Sequence, residues 1–244
     1  KDDKYTFVIQ RLANINDGKY RKQPEFVEGL YIKSEFSKLF SLNLIMKRGY
    51  PSCKLFNSKT LKTYNIKFNP NIHYCEDLLF MLTYLKYVDT VYFSNDINYN
   101  YISTEGSLSK KYNTYESEFL AFNLLNEEFK VLVRQFSLDK EAKDSFYKNT
   151  LGYFLLRSIT TLYRPETKKP YKERIRLLNK IHTKEYLTYF EKFTRESTKI
   201  NRVGYNLLRL KLFRIFDFYY FVLFGLRYTF NKQWSFYLKK RHIK

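Results

Sequence analysis

The hydrophobic positions fall into two regimes. Up to about residue 111, short β-branched and aromatic runs alternate with helical patterns; beyond it, helical patterns follow one another without clear strands. Residues 5–10 and 27–32 predict short strands by composition. Ser34 to Lys47 carries Phe36, Leu39, Phe40 and Leu44 at helical spacing, with Ser34 as N-cap and Gly49 and Pro51 as stops. Cys53 to Asn57 reads as a strand leading to a short helix over 58–64, and Asn69-Pro70-Asn71 as a turn. A helix from Asp77 to Tyr87 would turn Leu78, Met81, Leu82 and Leu85 inward. Thr90–Phe93 and Asn98–Ile102 read as two strands paired across Ser94-Asn95-Asp96. Strands alternating with helices predict a Rossmann-like α/β layer whose ligand cleft lies at strand ends.

In the second regime Phe119, Phe122, Leu125, Phe129, Leu132 and Phe136 form one apolar stripe. Ser137 reads as the N-cap of a helix that buries Phe146, Leu151, Phe154, Leu155 and Ile159, with Asp139 and Glu141 in its first turn. Pro165 and Pro170 bound a basic loop. Ile175, Leu178 and Ile181 mark a third helix, and Leu187, Phe190 and Phe193 a fourth. The predicted fold class is therefore α/β followed by an all-α region, divided into 1–111 and 112–244.

The last segment differs from the rest. From Ser197 to Lys244 there are 11 Lys/Arg and one acidic residue, Asp217. Aromatic and aliphatic residues interleave with these bases from Leu207 to Leu226. The apolar run Phe218–Leu226 is too short to span a bilayer, which takes about 20 residues. It suits either an in-plane interfacial helix or a buried helix with a solvated basic tail.

Composition narrows the partners. The 244 residues carry a net charge of +20, so an anionic partner is expected: nucleic acid, an anionic membrane surface or phosphorylated substrates. A 20% aromatic content is ample for a core and excludes global disorder. The two cysteines, Cys53 and Cys75, are too few and too far apart for a metal site and read as buried reduced thiols of a cytoplasmic protein. No signal-peptide pattern opens the sequence.

The chemistry concentrates in Asn71-Ile-His-Tyr-Cys-Glu-Asp-Leu-Leu-Phe80. Glu76 and Asp77 stand side by side between a loop and an apolar helix. The helix dipole favours acids there, and a carboxylate so placed can face a cleft and take a proton from a bound hydroxyl. Ordinary N-terminal helix charge is the plainer reading of the pair alone. His73 reads as a loop residue, since no second ligand stands at metal-binding spacing.

The order of motifs adds to this. Gly49-Tyr-Pro-Ser-Cys-Lys-Leu-Phe56, Ile66-Lys-Phe-Asn69, Glu76-Asp-Leu-Leu-Phe80, Tyr99-Asn-Tyr101 and Gly106-Ser-Leu-Ser109 follow one another over residues 5–111. This set resembles the acceptor-side half of a family 2 bacterial glycosyltransferase of GT-A fold, of the capsule, lipopolysaccharide and exopolysaccharide type. The resemblance implies inverting transfer of a sugar from a nucleotide-sugar donor, a UDP-sugar first, to a surface-polysaccharide or lipid-linked acceptor. It makes Asp77 the base, with Glu76 orienting the acceptor or ordering the loop. It gives Lys54, Ser107, Ser109 and Lys110 to substrate binding, the last three in a loop that meets the donor phosphates. It implies local positive charge that keeps the Asp77 pKa from rising. It places the protein at the inner face of the cell membrane as a peripheral enzyme, with its oligomeric state left open.

The sequence also departs from that family. Gly is scarce, at 7 residues, and neither a Gly-rich phosphate turn nor an Asp-x-Asp motif is present. Asp2 and Asp3 are adjacent and read as terminal solvated charge. A divalent metal, Mn or Mg, is expected for the complete enzyme, with its ligands outside this chain. The expectation is a chain that continues upstream into the donor-binding half. Two alternatives stay open: a basic, aromatic-rich module that binds membrane or nucleic acid, and a non-catalytic acceptor-half protein. Nucleic acid is the less favoured partner, because no recognition motif accompanies the charge.

Overall fold

A computed structural model describes residues 6–16, 19–22, 25, 28–102, 113–164, 166–167 and 169–226. A mixed sheet is built on β1 (Thr6–Asn16) and β5 (Thr90–Ile102), which run parallel from Thr6↔Thr90 to Ile15↔Ile102. β3 (Gly29–Ile32) lies antiparallel on the far side of β5. The other edge of β1 is shared: β4 (Lys54–Leu55) pairs with Val8 and Ile9, and β2 (Lys19–Lys22) pairs with Ala13 to Asn16. Alternation along β1 and β5 sends Phe7, Ile9, Val91 and Phe93 into the core.

β5 is one strand where the sequence pattern predicts two strands and a turn. Its register against β1 shifts between Gln10 and Arg11, where Ser94-Asn95-Asp96 bulges instead of reversing. Ser94 Oγ bonds Asp96 Oδ2 at 2.8 Å, and the Asp96 amide donates to Ser94 Oγ. The buried Arg11 donates to the Asn95 carbonyl at 3.3 Å. These local bonds satisfy the bulge without a hairpin.

Between the strands lie α1 (Phe36–Ser41), α2 (Ser58–Thr63) and α3 (Glu76–Leu85). Asn57 caps α2, its Oδ1 accepting from the amides of Lys59 and Thr60. Leu78, Met81, Leu82 and Leu85 of α3 are buried as the pattern predicts. The helical region follows: α4 (Tyr115–Gln135), α5 (Lys140–Phe146), a π turn (Tyr147–Leu151), α6 (Gly152–Thr161), α7 (Tyr171–Ile181), α8 (Lys184–Thr194), α9 (Lys199–Arg209) and α10 over 213–226. Gly152 sits where α8 crosses: a Cβ there would lie 2.4 Å from Phe193 Cβ and 2.5 Å from the Tyr189 carbonyl. The chain is thus an α/β layer followed by helices, and the core runs unbroken from one to the other. Phe36 meets Phe136 at 4.9 Å between ring centroids, Phe40 meets Phe129, and Phe129 stacks on Phe146 at 3.8 Å.

Four helices end in the same way. Asn43, Asn65, Ser137 and Lys211 follow the C-caps of α1, α2, α4 and α9 in the left-handed region. The next amide closes back on the helix in each case: Leu44 to Leu39, Ile66 to Leu61, Leu138 to Val133 and Leu212 to Leu207, at 2.9–3.1 Å. This is the Schellman arrangement with an apolar residue after the turn, made without glycine. It corrects two expectations and divides a third apolar run. The helix predicted over 34–47 stops at Ser41, because Asn43 turns the chain, and Ser34 lies in a 3-10 turn (Lys33–Glu35) ahead of it. Ser137 is a helix stop, and Asp139 caps α5 through the Ala142 amide at 2.8 Å. Lys211 divides the run from Leu207 to Leu226 into two helices.

Candidate active site

Asp77 stands in the first turn of α3, after Cys75 at φ 65°. A non-glycine residue in the left-handed region is strained, and such residues concentrate at functional sites. Cys75 offers no side-chain cap to the helix. Asp77 is half-buried, and its carboxylate makes no hydrogen bond or ion pair with the described residues.

The loop before α3 is seated from behind. Ile72 is buried, and Tyr74 lies under the Arg157 guanidinium at 3.5 Å from its ring centroid. Arg157 of α6 grips Glu118 of α4 with two bonds of 2.7 Å, and Asn113 donates to the same carboxylate at 3.0 Å. Glu118 is almost wholly buried, so its charge has to be matched, and here it is. Burial, with Tyr153 close by, pushes the Tyr74 hydroxyl up to about 12.

The facing wall repeats the strained cysteine. Cys53, at φ 61°, precedes Lys54 of β4 as Cys75 precedes Glu76 and Asp77. Lys54 is held beside Ile9 by strand pairing and by the Gln10 amide on the Cys53 carbonyl at 2.8 Å. Its ammonium turns back to the Tyr50 and Ser52 carbonyls and lies 4.2 Å from the Tyr50 ring centroid. Gly49 lets this turn approach α3, since a Cβ there would come within 3.3 Å of Leu78.

Asp77 and Lys54 share one electrostatic environment. Burial, reinforced by Glu76, raises the Asp77 carboxyl to about 6, while Lys54 pulls the other way. Burial lowers the Lys54 ammonium to about 7, with Arg48 acting in the same sense and Asp77 against it. Arg48 is itself lowered by burial and by Arg11. Arg11 thus acts on Arg48, Arg48 on Lys54, and Lys54 on the unsaturated Asp77 carboxylate. The predicted positive charge is present as Lys54, but desolvation outweighs it, so the Asp77 pKa rises where the expectation was that it would not.

Of the sequence-predicted site residues, the fold brings Glu76, Asp77 and Lys54 together. Ser107, Ser109 and Lys110 lie outside the described residues, as do Asp2 and Asp3. Lys54 is hydrogen-bonded rather than solvated, and His73 is an exposed loop residue. Both cysteines are free thiols, half-buried. The sequence reading missed Arg11, Arg48 and Tyr50, and the Glu118–Arg157 support. The Tyr50–Lys54 spacing is a weak local signal; nothing local links Glu118 to Arg157. Among the described residues no group of three or more His, Cys, Asp or Glu side chains could hold a metal, so these residues would not themselves hold the divalent metal that the resemblance implies for the complete enzyme.

No family model matches the chain, and no curated protein matches it. Among solved structures it is similar to the crystal structure of S. aureus TarS 1-349 in complex with UDP-GlcNAc. The identity is 17% and the TM-score 0.49, over 91% of this chain and 59% of that one. The chain thus spans under two thirds of that structure's length, and a likeness at this level identifies neither substrate nor reaction.

Proposed function

We propose that this chain is the acceptor-side part of a glycosyltransferase that moves a sugar from a nucleotide-sugar donor, a UDP-sugar first, to a surface-polysaccharide or lipid-linked glycan, with inversion. Residues 1–111 form that part, and 112–244 support it. One observation carries the reading: a half-buried carboxylate, Asp77, raised to about 6 and free of hydrogen bonds and ion pairs among the described residues, with the Lys54 ammonium acting on it. A general base works best with a pKa near the operating pH.

Asp77 takes the proton of the acceptor hydroxyl as its oxygen attacks the anomeric carbon. The bond from that carbon to the diphosphate breaks, and its electron pair leaves with the nucleotide. Lys54 and Arg48 supply positive charge as the diphosphate separates. Glu76 orients the acceptor or orders the loop, and Ser107, Ser109 and Lys110 meet the donor phosphates. The described residues assign no step to a metal. The protein works in the cytoplasm, at the inner face of the membrane where a lipid-linked acceptor resides.

The test is calorimetric titration with UDP and Mn²⁺, on this chain and on one extended upstream. Binding to the extended form alone supports an acceptor half that depends on a donor half. No binding to either removes the transferase reading.

A further inference from the structure

α10 is apolar on both of its sides. Its inner side is built into the bundle: Phe216, Asp217 and Tyr220 are buried. Asp217 binds Arg174 of α7 in a bidentate pair at 2.7 and 2.8 Å. Tyr220 lies against Gly204 of α9, where a Cβ would meet its hydroxyl at 2.5 Å. The outer side carries Ile215, Phe218, Val222 and Leu226, with Leu212 just ahead and Phe221 alongside. Steps of three and four residues place these on one stripe. Phe218 is 70% exposed and Phe221 58%, the reverse of what aromatic side chains seek in water. A helix that is apolar all round is ordinarily covered on every side.

The charge around the stripe says what covers it. Lys199, Arg202, Arg209, Lys211 and Arg214 are all exposed on α9, α10 and the turn between them. The one acid of the segment, Asp217, is buried on Arg174. Six further Lys/Arg and no acid follow residue 226 in the sequence. A second copy seated on this face would bring like charges together, which opposes self-association. Among the described residues no helix is long and apolar enough to cross a membrane.

We infer that the outer face of α10 is a membrane-docking surface for anionic lipid. The helix lies in the plane of the interface, with Phe218 and Phe221 entering the acyl boundary and the flanking bases meeting lipid phosphates. The inference deepens the peripheral location given above, yet it stands on this surface alone and survives if the chain transfers no sugar.

Flotation of the protein with vesicles tests it, using phosphatidylcholine alone or mixed with phosphatidylglycerol. The protein should float with the mixed vesicles only, and added salt should weaken the association. Phe218→Glu with Phe221→Glu should cut vesicle affinity by about tenfold or more; Phe218→Glu alone should weaken it with thermal unfolding unchanged, since that ring is 70% exposed, whereas Phe221 also lies 5.4 Å from the Arg174 guanidinium. Lys211→Gln with Arg214→Gln should lower affinity less and remove part of the salt dependence. Failure to float with the mixed vesicles overturns the inference, as does unchanged flotation of the double phenylalanine variant. A protein that forms dimers dispersed by those substitutions, or that binds single-stranded RNA and no vesicle, also overturns it. UDP titration of the same samples reports separately on the transferase reading.

Discussion

Glu118 and Asp77 each stand near a base in partly buried surroundings, and the two places are built in opposite ways. Glu118 gives both oxygens to Arg157 at 2.7 Å, takes a third donor from Asn113, and leaves its partner covered by the Tyr74 ring. Asp77 has no such bonds among the described residues, and Lys54 directs its hydrogens to the Tyr50 and Ser52 carbonyls instead. The first pair is saturated, and a saturated buried pair fixes structure. The second leaves lone pairs directed at no protein donor, and both groups titrate near neutrality. The saturated pair sits directly behind the loop that presents the unsaturated one. A saturated ion pair and an unsaturated carboxylate thus stand on the two sides of one loop.

The sharpest way to break this comparison is Asp77→Asn. Turnover should fall by about 10²–10⁴-fold, the range for loss of a general base. The fold should not suffer. The folded pKa of Asp77 is raised above the ordinary carboxylate value, so its contribution to stability is present below about pH 4 and lost as pH rises through about 6. The variant should therefore unfold at the same or a higher temperature at pH 8, which calorimetry reads directly. Unchanged turnover would remove Asp77 as the base, and a large loss of stability would make it a structural residue like Glu118.

Glu118→Ala should do the opposite. It leaves the Arg157 guanidinium buried without its partner, at a cost of about 3–5 kcal/mol in urea unfolding. A loss of less than about 1 kcal/mol would mean that the pair does not seat the loop. The smallest effect is the most specific. The pH profile of kcat/KM should rise as Asp77 ionises near 6 and fall as Lys54 loses its proton near 7. In Lys54→Met the alkaline fall should vanish, and the acid limb should move upward, because the Lys54 charge is what lowers Asp77. An identical profile in that variant would uncouple the two residues.

The sequence pattern already marks most of these elements, and where it misleads the reasons are local. The α3 stripe and the α4 stripe are legible because burial on one face imposes helical spacing. The extended length of β5 is not, since Ser-Asn-Asp is a turn signal and only the pairing with β1 shows that it bulges. Helix ends are misread where Asn, Ser or Lys takes the place that glycine usually marks. At the candidate site, Glu76, Asp77 and Lys54 could be nominated from the sequence because their types and order are informative. Arg11, Arg48 and the Glu118–Arg157 support are not, because their proximity comes from tertiary packing across long stretches of chain.

The glycine-free helix stops also bear on how far this protein can be altered. Asn43, Asn65, Ser137 and Lys211 hold left-handed backbone at a cost of about 1 kcal/mol each, and none of them belongs to the site. Cys53 and Cys75 hold the same conformation, but next to the residues that do the proposed chemistry. The first four form a reserve: glycine placed there would relax the chain without touching the cleft. A scaffold so reinforced would have the margin to tolerate changes around Tyr50, Lys54 and Tyr74, the residues that border and support the candidate site.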